Sequence, residues 1–145
     1  MHSLEDITVI IVTYLTQKDL LINCLNSIDN RVKIKIVENS QNFKHKNEIL
    51  SNFNNVEIIC TGENLGYGKG NNFGLKLTKT DYALIFNPDL TCDNDFFSNV
   101  TKVLEGADDF TIIGCQYQKN KIFYLQVFLI KKRIKNLQKI FEIKK

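Results

Sequence analysis

The residues best suited to chemistry lie in short polar runs that follow apolar, strand-like segments. Asn87-Pro88-Asp89 comes directly after Tyr82-Ala83-Leu84-Ile85-Phe86. A carboxylate on a strand-ending turn can coordinate Mg2+ or Mn2+, hard cations that take oxygen ligands and share them with phosphates. It can equally cap a turn that Pro88 opens. Glu38, with Asn39 and Ser40, ends another apolar run, Val32–Val37. An acidic residue there accepts hydrogen bonds from a base or ribose in nucleotide-binding sheets, or stands solvated in a loop. Tyr14, after Thr13, offers a ring that stacks on a base or covers a sheet edge.

Gly66-Tyr67-Gly68-Lys69-Gly70-Asn71-Asn72 invites comparison with phosphate-binding loops and fits neither common one. A dinucleotide fingerprint needs G-x-G-x-x-G after the first strand, whereas this segment follows the third. A P-loop needs Lys followed by Ser or Thr, whereas Lys69 precedes Gly70. The glycines therefore bring backbone close to a ligand or make a turn before a helix. Cysteines at 24, 60, 92 and 115 form no C-x-x-C pair, and the two histidines are His2 and His45. That argues against zinc. Cys24, Cys60 and Cys115 lie in or beside apolar stretches and are expected as reduced, buried thiols.

The elements that must position these residues follow from periodicity. Ile7–Val12 is short and β-branched, as in a strand buried on both faces. Leu20, Leu21, Cys24, Leu25 and Ile28 recur at helical spacing over 18–29. Strands are expected at 32–37, 56–60 and 82–86, a fifth at 111–115, and helices at 45–53, 71–77 and 93–105. Strand and helix alternating at these intervals predict βαβ units in a mainly parallel sheet. Ligands bind outside the carboxyl ends of such strands, so Thr13-Tyr14, Glu38-Asn39-Ser40 and Asn87-Pro88-Asp89 are expected to converge.

The 145 residues suit one domain. The hydrophobic fraction of 43% and charged fraction of 24% belong to a globular chain. Net charge is +3, but residues 131–145 hold seven basic side chains against Glu142 alone. The remainder is net acidic, which excludes a nucleic-acid footprint. The polar Met1–Asp6 and the short run after it give no secretory signal or membrane span.

In order, Val9-Ile10-Ile11-Val12-Thr13-Tyr14, Ile36-Val37-Glu38-Asn39-Ser40, Asn64-Leu65-Gly66-Tyr67-Gly68-Lys69-Gly70-Asn71-Asn72-Phe73-Gly74 and Phe86-Asn87-Pro88-Asp89 resemble family 2 glycosyltransferases of the rhamnosyltransferase-like subgroup. The resemblance covers about residues 7–115. It implies a GT-A nucleotide-diphospho-sugar transferase fold, Rossmann-like with a mainly parallel sheet and flanking helices. It also implies a nucleotide-diphosphate sugar donor, such as dTDP-rhamnose or a UDP-sugar, and Mg2+ or Mn2+. Thr13 and Tyr14 match the donor-binding turn, and Glu38, beside Asn39, the carboxylate that contacts the nucleoside. Asn64, Gly66, Gly70 and Asn71 match the motif lining the donor site. Asp89 matches the metal-binding aspartate of D-x-D, and Asn87 replaces its first aspartate. Such enzymes transfer the sugar with inversion to a glycan or lipid-linked acceptor in cell-surface polysaccharide synthesis. A carboxylate deprotonates the acceptor hydroxyl.

No segment here matches that base region, so the fold is expected to be C-terminally incomplete. Residues 1–115 are expected to form the nucleotide-sugar-binding domain, and 116–145 a divergent apolar and basic tail. That tail, through 122–145, reads as an amphipathic attachment to an anionic membrane from the cytoplasmic side, or as the accidental end of a truncated gene. The second reading weighs more because the pattern stops in mid-fold, so anionic vesicles are expected to hold the chain no better than neutral ones. Little transfer is expected from the chain alone, and a non-catalytic donor- or partner-binding module is the alternative.

Overall fold

The computed structural model describes residues 3–106, 112–119 and 122–131. A capped 3-10 turn over Leu4–Asp6 leads into β1 (Ile7–Thr13), α1 (Lys18–Ser27), β2 (Lys33–Glu38), α2 (Lys46–Asn52), β3 (Val56–Cys60), α3 (Gly66–Leu77), β4 (Tyr82–Phe86), α4 (Phe96–Gly106), β5 (Ile112–Lys119) and β6 (Ile122–Lys131). They build one six-stranded sheet in the order β3-β2-β1-β4-β6-β5. The four N-terminal strands run parallel, and β6 joins β4 antiparallel with β5 outside it.

β1 is central and buried along its whole length, as its unbroken β-branched run requires. Alternate residues sort into two cores. Ile7, Val9 and Ile11 meet Leu21, Cys24 and Leu25 of α1, Ile49 of α2 and Phe97, Val100 and Leu104 of α4. On the opposite face Ile10, Val12 and Val37 pack with Leu75 of α3, Ala83 and Ile85. Burial of these apolar side chains, at about 25 cal/mol per Å2, is what holds the layers together.

Two expectations are corrected. The helix expected from Asn71 begins at Gly66, because α3 accommodates its glycines where α3 meets the sheet. A Cβ on Gly70 would lie 2.9 Å from Val12 Cγ1, and one on Gly74 would lie 2.6 Å from Ile10 Cγ2. These glycines therefore let a helix approach the sheet closely. The second correction concerns the region after Cys115. β5 crosses the expected 115/116 boundary with a register shift there, and β6 pairs with β4 from Tyr82↔Lys131 to Ile85↔Phe128. Residues 122–131 thus lie inside the sheet. The amphipathic segment expected beyond them falls outside the described residues, as does the Cys115 side chain.

Candidate functional site

Parallel pairing brings the carboxyl ends of β1, β2 and β4 to one edge. Thr13 stands opposite Glu38, and Ile11 opposite Phe86, so Asn87 begins where β4 leaves the ladder. The Asn39 amide donates to the Thr13 carbonyl at 2.8 Å, carrying the β1–β2 contact beyond the strands. The expected convergence is present because register, once set by the buried faces, fixes where each strand stops.

Thr13 and Glu38 point to the α1 side. Thr13 Oγ1 donates to Glu38 Oε2 at 2.5 Å, and Glu38 is 2% exposed. A buried carboxylate needs donors, and this bond fixes the Glu38 rotamer. The Glu38 carbonyl accepts from both the backbone N–H and the hydroxyl of Thr61, which holds the loop after β3 alongside.

Asn39 points to α3. Its Nδ2 donates to the Gly66 carbonyl at 3.2 Å, and Asn71 Nδ2 donates to the Tyr67 carbonyl at 3.1 Å. Both asparagines are buried, and among the described residues neither Oδ1 has a hydrogen-bond donor. Asn64 Oδ1 accepts from the Gly66 N–H at 2.9 Å, and Gly66 sits at φ +75°. This small loop capped by Asn64 starts α3, and only glycine takes that backbone conformation readily. Asn64 and Gly66 are exposed at the edge, whereas Gly70 and Asn71 stand behind it, buried between α3 and the sheet.

Asn87 opens a turn in which the Leu90 N–H donates to the Asn87 carbonyl at 3.3 Å. Pro88 occupies its second position, where a fixed φ is favoured. Asp89 is exposed at the third. Behind the turn, Cys24 Sγ lies 3.7 Å from the Asn87 carbonyl, and Ser27 Oγ donates to the Cys24 carbonyl while accepting from the Cys92 N–H. Burial, with smaller contributions from Cys92 and Asp89, pushes the Cys24 thiol up to about 12. It is a neutral core thiol, as its apolar setting suggested.

Among the described residues no three His, Cys, Asp or Glu side chains gather as a metal cage. What the turn after β4 offers is the exposed carboxylate of Asp89, which among the described residues forms no hydrogen bond or ion pair. Mg2+ and Mn2+ are often held by one or two protein carboxylates, with substrate phosphates completing the shell. The donor set fits a cation that arrives with a diphosphate. Asn87 Oδ1 is engaged elsewhere, accepting from the Tyr67 hydroxyl at 2.8 Å.

Tyr67 was not singled out in the sequence. It lies four residues before Asn71, on the same face of a helix, but that signal is visible only once α3 starts at Gly66. Tyr67 is 47% exposed, and Tyr14, in the turn after β1, is 50% exposed. Leu15, next in that turn, has φ +51° and is 81% exposed. A non-glycine residue in that region is strained.

The sequence model of the family described as Glycosyl transferase family 2 matches residues 8–143. The match therefore continues past Cys115, the residue at which the resemblance carried by the short motifs ends. The low-salt glycan biosynthesis hexosyltransferase Agl10 of Haloferax volcanii is 27% identical over 96 residues, which are 63% of this chain and 30% of Agl10. Among solved structures, the mannosyltransferase PcManGT of Pyrobaculum calidifontis, in complex with GDP-Man and Mn2+, superposes with TM-score 0.69 at 15% identity. The superposition covers 87% of this chain and 44% of that one. S. aureus TarS 1-349 in complex with UDP-GlcNAc gives TM-score 0.59 at 17% identity over 69% of this chain and 31% of that one. These likenesses show the fold to be that of the GT-A glycosyltransferases. The chain spans less than half the length of each of these relatives.

Proposed function

The chain belongs to glycosyl transferase family 2, and from that premise we propose that it binds a nucleotide-diphosphate sugar at the carboxyl edge of β1, β2 and β4 and serves transfer of the sugar to a glycan or lipid-linked acceptor. The observation that carries this reading is the meeting at one edge of a buried carboxylate, a glycine-opened helix start and an exposed turn carboxylate. In this reading Glu38, held through Oε2 by Thr13, presents Oε1 to a nucleoside N–H or hydroxyl. Tyr14 supplies a flat apolar surface for the base. Asn64 and Gly66 shape the wall, and Asn39, Gly70 and Asn71 brace it from behind. Asp89 would hold the divalent cation, which when bound neutralises charge on the diphosphate leaving group.

Support for the donor class comes from what the structural neighbours bind, GDP-Man with Mn2+ in one and UDP-GlcNAc in another. The rhamnosyltransferase-like motifs favour dTDP-rhamnose or a UDP-sugar. Transfer with inversion, a role in cell-surface polysaccharide synthesis and a cytoplasmic position at the inner face of the membrane belong to the same reading. No helix of the described residues is long and apolar enough to cross a membrane.

Isothermal titration with dTDP-, UDP- and GDP-sugars in the presence of Mn2+ tests the donor site. Saturable binding of one class is expected, and absence of binding by all three defeats the proposal. Transfer is a separate matter. Little is expected from this chain alone, since no segment of its sequence matches the family's base region, which would deprotonate the acceptor hydroxyl. Robust turnover of a lipid-linked acceptor would reverse that expectation.

A further inference from the structure

The turn that carries Asp89 is held at its first residue from two directions. Behind it, the Asn87 carbonyl takes the Leu90 N–H and faces the Cys24 thiol. In front, the Asn87 carboxamide oxygen accepts from the Tyr67 hydroxyl, which comes from the first turn of α3. Tyr67 spans the edge between the two segments, and its backbone carbonyl is itself held by the buried Asn71 amide.

We propose that Tyr67 is a positioning residue: by holding the Asn87 carboxamide it sets where the Asp89 carboxylate stands, and it keeps Asn87 from serving as a metal ligand. Two observations carry this assignment. The Asn87 oxygen has an occupied partner at ordinary hydrogen-bond length, the Tyr67 hydroxyl donating to it. Asp89 has no hydrogen bond of its own among the described residues, so its place depends on the backbone of the turn. Pro88 stiffens one position of that turn, and the contacts of Asn87 fix its entry.

The assignment rests on the metal- and diphosphate-binding reading of the edge, and its test separates the two. Tyr67→Phe keeps the half-exposed ring and removes the hydroxyl. Titration of the full chain with a nucleoside diphosphate is expected to show roughly five- to tenfold weaker binding when Mn2+ is present. Binding without the metal is expected to be unchanged, a split that a general loss of structure would not produce. Asn87→Ala is expected to match Tyr67→Phe, and the double variant to be no weaker than either. An Asn87→Ala effect much larger than that of Tyr67→Phe would make the carboxamide a ligand and overturn the assignment. So would equal weakening with and without metal, or no weakening at all. Amide hydrogen exchange supplies a readout that needs no ligand: Leu90 should exchange several-fold faster in Tyr67→Phe. If the unaltered chain binds no nucleotide, the functional reading fails, while unchanged Leu90 exchange would by itself remove Tyr67 from the turn.

Discussion

At the scale of single residues, Glu38 and Asp89 are both carboxylates at strand ends, yet their surroundings assign them opposite work. Glu38 is buried and tied to Thr13, whereas Asp89 is exposed and untied. Thr13→Val should therefore act mainly on stability. It leaves a buried acceptor without its donor, and urea unfolding should show a loss of about 1–3 kcal/mol. Asp89→Asn should leave stability unchanged and weaken Mn2+-dependent nucleotide binding by about tenfold or more, some 1.4 kcal/mol. Equal binding by that variant would free the cation from Asp89. Cys24 gives a pH prediction. Burial pushes its thiol up to about 12 in the folded chain from an ordinary value of 9.0. The stability it contributes is complete below pH 9 and is lost as pH rises toward 12, because the unfolded chain releases that proton first. Between pH 8 and 10, Cys24→Ala should lose less stability than the unaltered chain, as read by denaturant midpoints. Residue types and spacing pointed to the polar positions but could not tell a tethered carboxylate from an untethered one, because that depends on neighbours distant in sequence.

At the scale of elements, α3 shows how a motif can be recognised and its mechanics misread. The glycines were legible, and so was a helix beyond them, but helix propensity argued against starting a helix at Gly66. Packing overrides propensity here, since Gly70 and Gly74 face Val12 and Ile10 at distances that a side chain would violate. Gly74→Ala is expected to cost about 1–3 kcal/mol from overpacking, despite gaining roughly 1 kcal/mol of intrinsic helix preference. Gly66→Ala meets open space and costs only its left-handed backbone strain, about 1 kcal/mol. Chemical denaturation of the two variants side by side should place Gly74→Ala as the more damaging. The reverse order would mean that the α3–β1 approach is loose.

At the scale of the whole molecule, the described residues form one sheet that runs past the boundary expected at 115/116. Leu129 packs in the core with Leu84, and Ile130 is buried with Ala83. Leu129→Ala should accordingly cost about 2–5 kcal/mol in a single unfolding transition. A negligible loss would make β6 an appendage to the sheet. From the sequence alone came the parallel α/β order, the family and the polar residues at strand ends, because periodicity and short motifs are local and survive without knowledge of contacts. Only the tertiary structure decided that β6 inserts beside β4, that Gly70 and Gly74 serve packing, and that Tyr67 reaches Asn87. Each of these joins segments separated along the chain, and no local pattern encodes which distant side chain will meet another.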